Sequence, residues 1–148
     1  IYVFGNGGSA LAASQLVTDL NKTVYLRTGR PFHGHCLNDS LGLVTAYAND
    51  LSYADIFAEQ LKPVLKEDDL VIAISGSGNS PNVLRAVELA KSRKAITLGL
   101  CGYDGGKLKE LVDYAAHVPV NDMQICEDLH LSFIHSTMRV LVESVSDR

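Results

Sequence analysis

The stretch Asp69-Leu70-Val71-Ile72-Ala73-Ile74-Ser75-Gly76-Ser77-Gly78-Asn79-Ser80-Pro81-Asn82-Val83-Leu84-Arg85 decides the fold. Leu70 to Ile74 is a short apolar run rich in β-branched residues, too short for a helix, and reads as a strand buried in a parallel sheet. The run breaks into Ser75 to Ser80 and then meets Pro81. Proline just inside a helix start, with Ser80 before it as N-cap, predicts a helix to about Ser92. A strand therefore ends, a loop of serines and glycines follows, and a helix N-terminus points back over that loop. Free backbone N–H groups, the positive end of the helix dipole and the hydroxyls of Ser75, Ser77 and Ser80 converge on one place. A phosphate monoester suits it, although an ordinary strand-to-helix turn would look much the same.

The beginning of the chain repeats the arrangement. Ile1 to Phe4 reads as a strand, and Gly5-Asn6-Gly7-Gly8-Ser9 turns into an Ala-rich helix from Ser9 to about Leu20, with Ser9 as a candidate cap. No Gly-Lys-Ser/Thr follows, and the spacing is not that of a dinucleotide fingerprint. A helical segment is expected to precede the first strand.

Between these motifs the pattern is weaker. Asn21 to Pro31 reads as an exposed loop or irregular strand, and Phe32 to Leu37 as a second strand. A helix starting at Asn38-Asp39-Ser40 runs to about Ala48, and another spans Tyr53 to Leu65 with Pro63 near its end. After the Pro81 helix come a strand at Ala95 to Leu100, a short helix at Lys107 to Val112 and a strand at Tyr114 to Val118. A final helix, with Asn121 or Asp122 as cap, runs from Met123 to about Val145. Strands alternating with helices imply a parallel sheet covered on both faces, with ligands at the carboxyl ends of the strands.

Composition narrows the function. A chain of 148 residues with 47% apolar and 20% charged residues suits one globular domain with a substantial core. The net charge of −4 and the lack of a Lys/Arg cluster argue against a nucleic-acid surface. Cys36, Cys101 and Cys126 show no C-x-x-C spacing and lie in or beside apolar segments, as reduced thiols of a cytoplasmic protein would. No apolar run approaches membrane-spanning length.

Taken together, Gly5 to Ser9, Ser75 to Val83, Ala48-Asn49-Asp50, Gly102 to Lys107 and Glu127-Asp-Leu-His130-Leu-Ser-Phe-Ile-His135 resemble the sugar isomerase (SIS) domain, within it the phosphoheptose isomerase branch. The resemblance runs over nearly the whole chain, 1–148, as one SIS domain. It implies a flavodoxin-like three-layer α/β sandwich and a homotetramer with sites between subunits. The implied reaction converts sedoheptulose 7-phosphate to D-glycero-D-manno-heptose 7-phosphate, with no cofactor required. A non-catalytic phosphosugar-binding or replication-initiator-associated protein on the same domain is the alternative. By position, Asn6, Gly7, Gly8, Ser9, Asn49, Asp50, Ser75, Gly76, Ser77 and Ser80 would hold the substrate. The base would be Asp19 and the acid His135. Branch members that bind zinc use the positions of Gln15, Asp19, Glu127 and His135. Here Gln15 replaces a His, Asp19 a Glu and Glu127 a Gln.

Aldose–ketose isomerisation moves a proton between adjacent carbons through an enediol, so it needs a base at carbon and an acid at oxygen. Asp19 and Glu127 are the candidate bases. They are expected to approach one another across the site, from two helices that assembly can bring together. Gln15 and Asp19 share a helix face at i, i+4. Helical angle does not choose between His130 and His135, and only the resemblance selects His135. An Asp-Glu-His set would leave a zinc ion one open position, whereas Gln15 would be a poor ligand. His33 and His35 read as strand or loop residues.

Overall fold

The computed structural model describes residues 1–146. Five parallel strands form one sheet in the order β2-β1-β3-β4-β5, with β1 Tyr2–Gly5, β2 His35–Cys36, β3 Leu70–Ser75, β4 Ile96–Cys101 and β5 Tyr114–His117. Alternation along the strands splits the core in two. Val3, Ile72, Ile74 and Leu100 face α1 (Gly8–Thr18) and α7 (Met123–Ser146), where they meet Leu16, Leu20, Ile134 and Met138. Phe4, Val71 and Ala73 face the other layer, made of α3 (Leu41–Asp50), α4 (Ile56–Leu61), α5 (Pro81–Ser92) and α6 (Gly106–Leu111). There Phe4 stacks on Phe57 at 4.8 Å between ring centroids, and Val83, Ala86, Val87 and Ala90 close α5 onto the sheet.

The first helix is longer than its expected end at Leu20. After α1 the chain makes a wide π turn over Asp19–Val24 and continues as α2, Tyr25–Thr28. The reason is apolar spacing: Leu16, Leu20 and Val24 continue one buried stripe at i, i+4, i+8. Gly29 ends it at φ 70°, two residues before Pro31. The second strand shrinks to His35–Cys36, because Gly34 before it is held by the Asn21 side chain, which accepts at 2.8 Å and donates at 2.9 Å. The helix expected over Tyr53 to Leu65 resolves into a 3₁₀ turn, Tyr53–Asp55, and the shorter α4, which stops before Pro63.

Two caps also differ. Gly7 at φ 55°, a backbone angle that favours glycine, precedes α1, and Ser9 is buried inside the first turn. Ser80 precedes α5 without a side-chain cap bond; its hydroxyl lies 3.2 Å from that of Ser75. Ser40 and Asp122 do cap, accepting from Leu43 N–H at 3.4 Å and Ile125 N–H at 3.1 Å. All three cysteines are free and buried; burial pushes the Cys36 thiol up to about 11 and the Cys101 thiol up as well. Among the described residues, no helix is long and apolar enough to cross a membrane.

Candidate active site

The strand order puts β1 and β3 side by side, although β1 is followed in the chain by β2 on its other flank. The chain reverses direction across the sheet here, and the crevice outside the carboxyl ends of such strands is where open α/β sheets bind ligands. Both Ser/Gly loops leave the sheet at this point. Asn6, Gly7, Gly8 and Ser9 from the first and Ser75, Gly76, Ser77 and Ser80 from the second line one cavity of about 230 Å³, closed by Met123 and Glu127 of α7.

Short side chains and backbone make this cavity. The N–H groups of Gly76, Ser77 and Ser80 find no acceptor among the described residues. The Ser77 hydroxyl accepts from Asn79 N–H at 3.2 Å, which holds the tip of the loop. Gly78, at φ 65°, is backed so closely by the carbonyl of Gly105 that a side chain has no room. Glu127 lies against Gly8, where a Cβ atom would collide with its carboxylate. Asn49 and Asp50 do not line this cavity. They are exposed at the end of α3, where Asn49 Nδ2 donates to Asp50 Oδ1 at 2.8 Å.

A second pocket, also about 230 Å³, opens between the π turn and α7 and is lined by Asp19, Thr23, Arg27, His135, Met138, Arg139 and Val142. Asp19 Oδ2 accepts from Gln15 Nε2 at 3.1 Å and lies 3.8 Å from His135 Nε2, while Asp19 Oδ1 accepts from the Thr23 hydroxyl at 3.0 Å. The carboxylate is thus oriented by two neutral donors and faces a half-exposed imidazole. Within one chain Asp19 and Glu127 do not share a pocket: eight residues of α7, about 12 Å of helix, separate Glu127 from His135. Gln15, Asp19 and His135 come together and Glu127 stands apart, so the four-ligand zinc set is not assembled. Among the described residues no group of three or more His, Cys, Asp and Glu side chains could hold a metal.

His130 is buried, neither ring nitrogen finds a hydrogen-bond partner among the described residues, and burial lowers its pKa below the usual 6.5. It is therefore a core residue of this chain. Three residues escaped sequence reasoning. The Asn38 amide pairs with the backbone of Gly5, donating to its carbonyl at 2.9 Å and accepting from its N–H at 3.2 Å. Asn82 and Tyr53 both bind the side chain of Asn6. Only the buried register of Asn82 in the first turn of α5 could have pointed to it.

A five-stranded parallel sheet of this order, with two small-residue loops meeting at its switch point, defines an α/β domain built to hold a phosphorylated ligand. A model of the SIS domain family matches residues 37–141. The chain is 39% identical over 148 residues to phosphoheptose isomerase of Thermodesulfovibrio yellowstonii, covering 99% of this chain and 71% of that protein. It is 40% identical over 135 residues to that of Helicobacter pylori strain 26695, covering 91% and 70%. The solved phosphoheptose isomerase of Francisella tularensis superposes with a TM-score of 0.88 at 27% identity, over 99% of this chain and 76% of that one. That of Neisseria gonorrhoeae superposes at 0.86 and 29% identity, over 97% and 76%. The chain belongs to the phosphoheptose isomerase family of SIS domains.

Proposed function

We propose that this protein is an aldose–ketose isomerase acting on sedoheptulose 7-phosphate, with D-glycero-D-manno-heptose 7-phosphate as product. The observation that carries the reading is the meeting of the two Ser/Gly loops in one cavity at the β1/β3 switch point. The phosphate takes the N–H groups of Gly76, Ser77 and Ser80 and the hydroxyls of Ser75, Ser77 and Ser80. Glu127, the one carboxylate lining that cavity among the described residues, repels the dianion and receives sugar hydroxyls instead. Asn6, Gly7, Gly8 and Ser9 line the opposite wall. Asn49 and Asp50, outside the cavity within one chain, would act on substrate from a neighbouring subunit.

Asp19 takes a proton from C1 of the open-chain ketose, and His135 exchanges protons with the C1 and C2 oxygens to form the enediol. Protonation at C2 then gives the aldose, so that no net proton is gained or lost. Glu127 at the phosphate cavity and His135 beside Asp19 are eight residues, about 12 Å, apart along α7, a span comparable to that of an extended seven-carbon chain with its phosphate. Zinc is left out of the proposal, because the ligand set is not assembled within one chain.

A homotetramer is proposed as the working form, and the whole chain 1–148 as a single domain. Support for assembly comes from α7, where Ile125, Leu129, Phe133 and Val140 are exposed, and from an apolar groove between Ile1, Leu16, Leu20, Phe32, Phe133 and Leu141. Sedimentation as a monomer at high concentration would exclude it. Free thiols suit the cytoplasm as its compartment. The activity itself is tested by following sedoheptulose 7-phosphate by NMR. Appearance of the aldose phosphate supports the reading, and binding without conversion returns the chain to a phosphosugar-binding role.

A further inference from the structure

The side chain of Asn6 is held from two other elements at once. Asn82, the second residue of α5, is only 1% exposed. The backbone N–H of Val83 donates to Asn82 Oδ1 at 3.0 Å, and since a backbone N–H can only donate, this contact fixes which way the Asn82 amide faces. With that end fixed, Asn6 Nδ2 donates to Asn82 Oδ1 and Asn82 Nδ2 donates to Asn6 Oδ1, both at 2.9 Å. The Tyr53 hydroxyl donates to the same Asn6 Oδ1 at 3.0 Å. Both acceptor positions of the Asn6 carbonyl oxygen are then taken, and one of its two N–H hydrogens is committed to Asn82.

What remains is a single N–H on Asn6. In a reciprocal amide pair the engaged hydrogen lies on the oxygen side, so the free one points away from the pair. Of the three residues, only Asn6 lines the cavity. We propose that Asn82 and Tyr53 are positioning residues that lock Asn6 as a hydrogen-bond donor of fixed direction toward an oxygen of the phosphosugar. An unrestrained amide could offer its oxygen or its nitrogen equally well, and binding would then have to order it. The clasp also ties the β1 loop to the start of α5, so the walls contributed by the two loops keep their spacing. The inference rests on the cavity being the phosphosugar site.

A double-mutant cycle on affinity for sedoheptulose 7-phosphate tests this, with calorimetry for binding and thermal unfolding alongside. Tyr53→Phe removes only a hydroxyl from an exposed ring, and a two- to tenfold loss of affinity at unchanged unfolding temperature is expected. Asn82→Ala should cost about tenfold or more. In an Asn6→Ala background neither substitution should weaken binding further, because both act through Asn6. Losses that add in the double variants, or wild-type affinity in Tyr53→Phe, overturn the proposal. Should Asn82→Ala fail to fold, Tyr53 and Asn6 complete the cycle by themselves. Turnover is read separately: a wild-type protein that binds the ketose phosphate without converting it defeats the isomerase reading and leaves the clasp testable. One that does not bind it overturns both.

Discussion

The cavity at the ends of β1 and β3 and the pocket between the π turn and α7 are equal in size, about 230 Å³ each, and opposite in construction. The first is made mostly of backbone, hydroxyls and glycines, with Met123 and Glu127 closing one side, and is fixed by two adjacent strands in register from Tyr2 and Val71 to Gly5 and Ile74. The second is made of long side chains on helices, with Asp19 at the start of a π turn and His135 with half of its side chain exposed. Binding an anion needs many fixed, weakly charged donors, and a sheet switch point supplies them at low cost in side-chain entropy. Moving a proton needs a few titratable groups, and helices can present those side chains at chosen spacings. The difference teaches that substrate holding and proton transfer can be broken separately.

The largest effect is expected where backbone and loop leave no slack. Ser77→Leu should abolish binding of sedoheptulose 7-phosphate measured by calorimetry, since the bulk enters the cavity between the two loops. Retained affinity would remove this cavity as the binding site.

Next come the helix-borne groups. Asp19→Asn and His135→Ala should each lower kcat by about a hundredfold to ten-thousandfold, the range for a lost general base or acid, while affinity changes less than about threefold. Loss of affinity to the same degree would mean that the two regions are one functional unit. The donors that orient Asp19 sharpen the point. Thr23→Val or Gln15→Leu should cost about three- to tenfold in kcat, the worth of one hydrogen bond, with KM little changed.

The smallest effect falls on stability. His130 lies on α7 between the two regions and has a folded-state pKa below 6.5, because burial disfavours the charged ring. The unfolded chain keeps the ordinary value and so takes up its proton first as pH falls. Stability therefore drops as pH is lowered below about 6.5, and the loss continues until the folded pKa is passed. Thermal unfolding between about pH 7.5 and 5.5 should show a shallower decline in His130→Phe than in wild type. Identical slopes would mean that the ring finds a partner the described residues do not supply.

The sequence carried the first region far better than the second. Leu70 to Ser75 announces a buried strand, and Pro81 announces the helix, so the phosphate loop and its orientation follow from local chemistry. Gly29 and Pro31 also carry a stop signal, but Lys22, Arg27 and Arg30 make the preceding segment look like a loop, whereas Leu20 and Val24 keep it helical through packing. The π turn leaves no mark that spacing could reveal, so the pairing of Asp19 with His135 comes from the family resemblance, and its geometry emerges from the folded helix pair. The bond between Asn6 and Asn82 joins residues 76 apart in the chain, and no local pattern encodes it. Ser80 looks like a cap and instead turns to Ser75, because the two hydroxyls end up facing each other across the loop.

The division between holding the phosphate and moving the proton is tested most directly by solvent exchange. Wild type and Asp19→Asn are each saturated with sedoheptulose 7-phosphate in deuterated water and followed by NMR. Wild type should place deuterium at C1 of the recovered ketose and at C2 of the aldose product, and Asp19→Asn should bind the same ligand with little exchange. Exchange at the wild-type rate in Asp19→Asn would contradict the account and move the base to Glu127, at the phosphate loops.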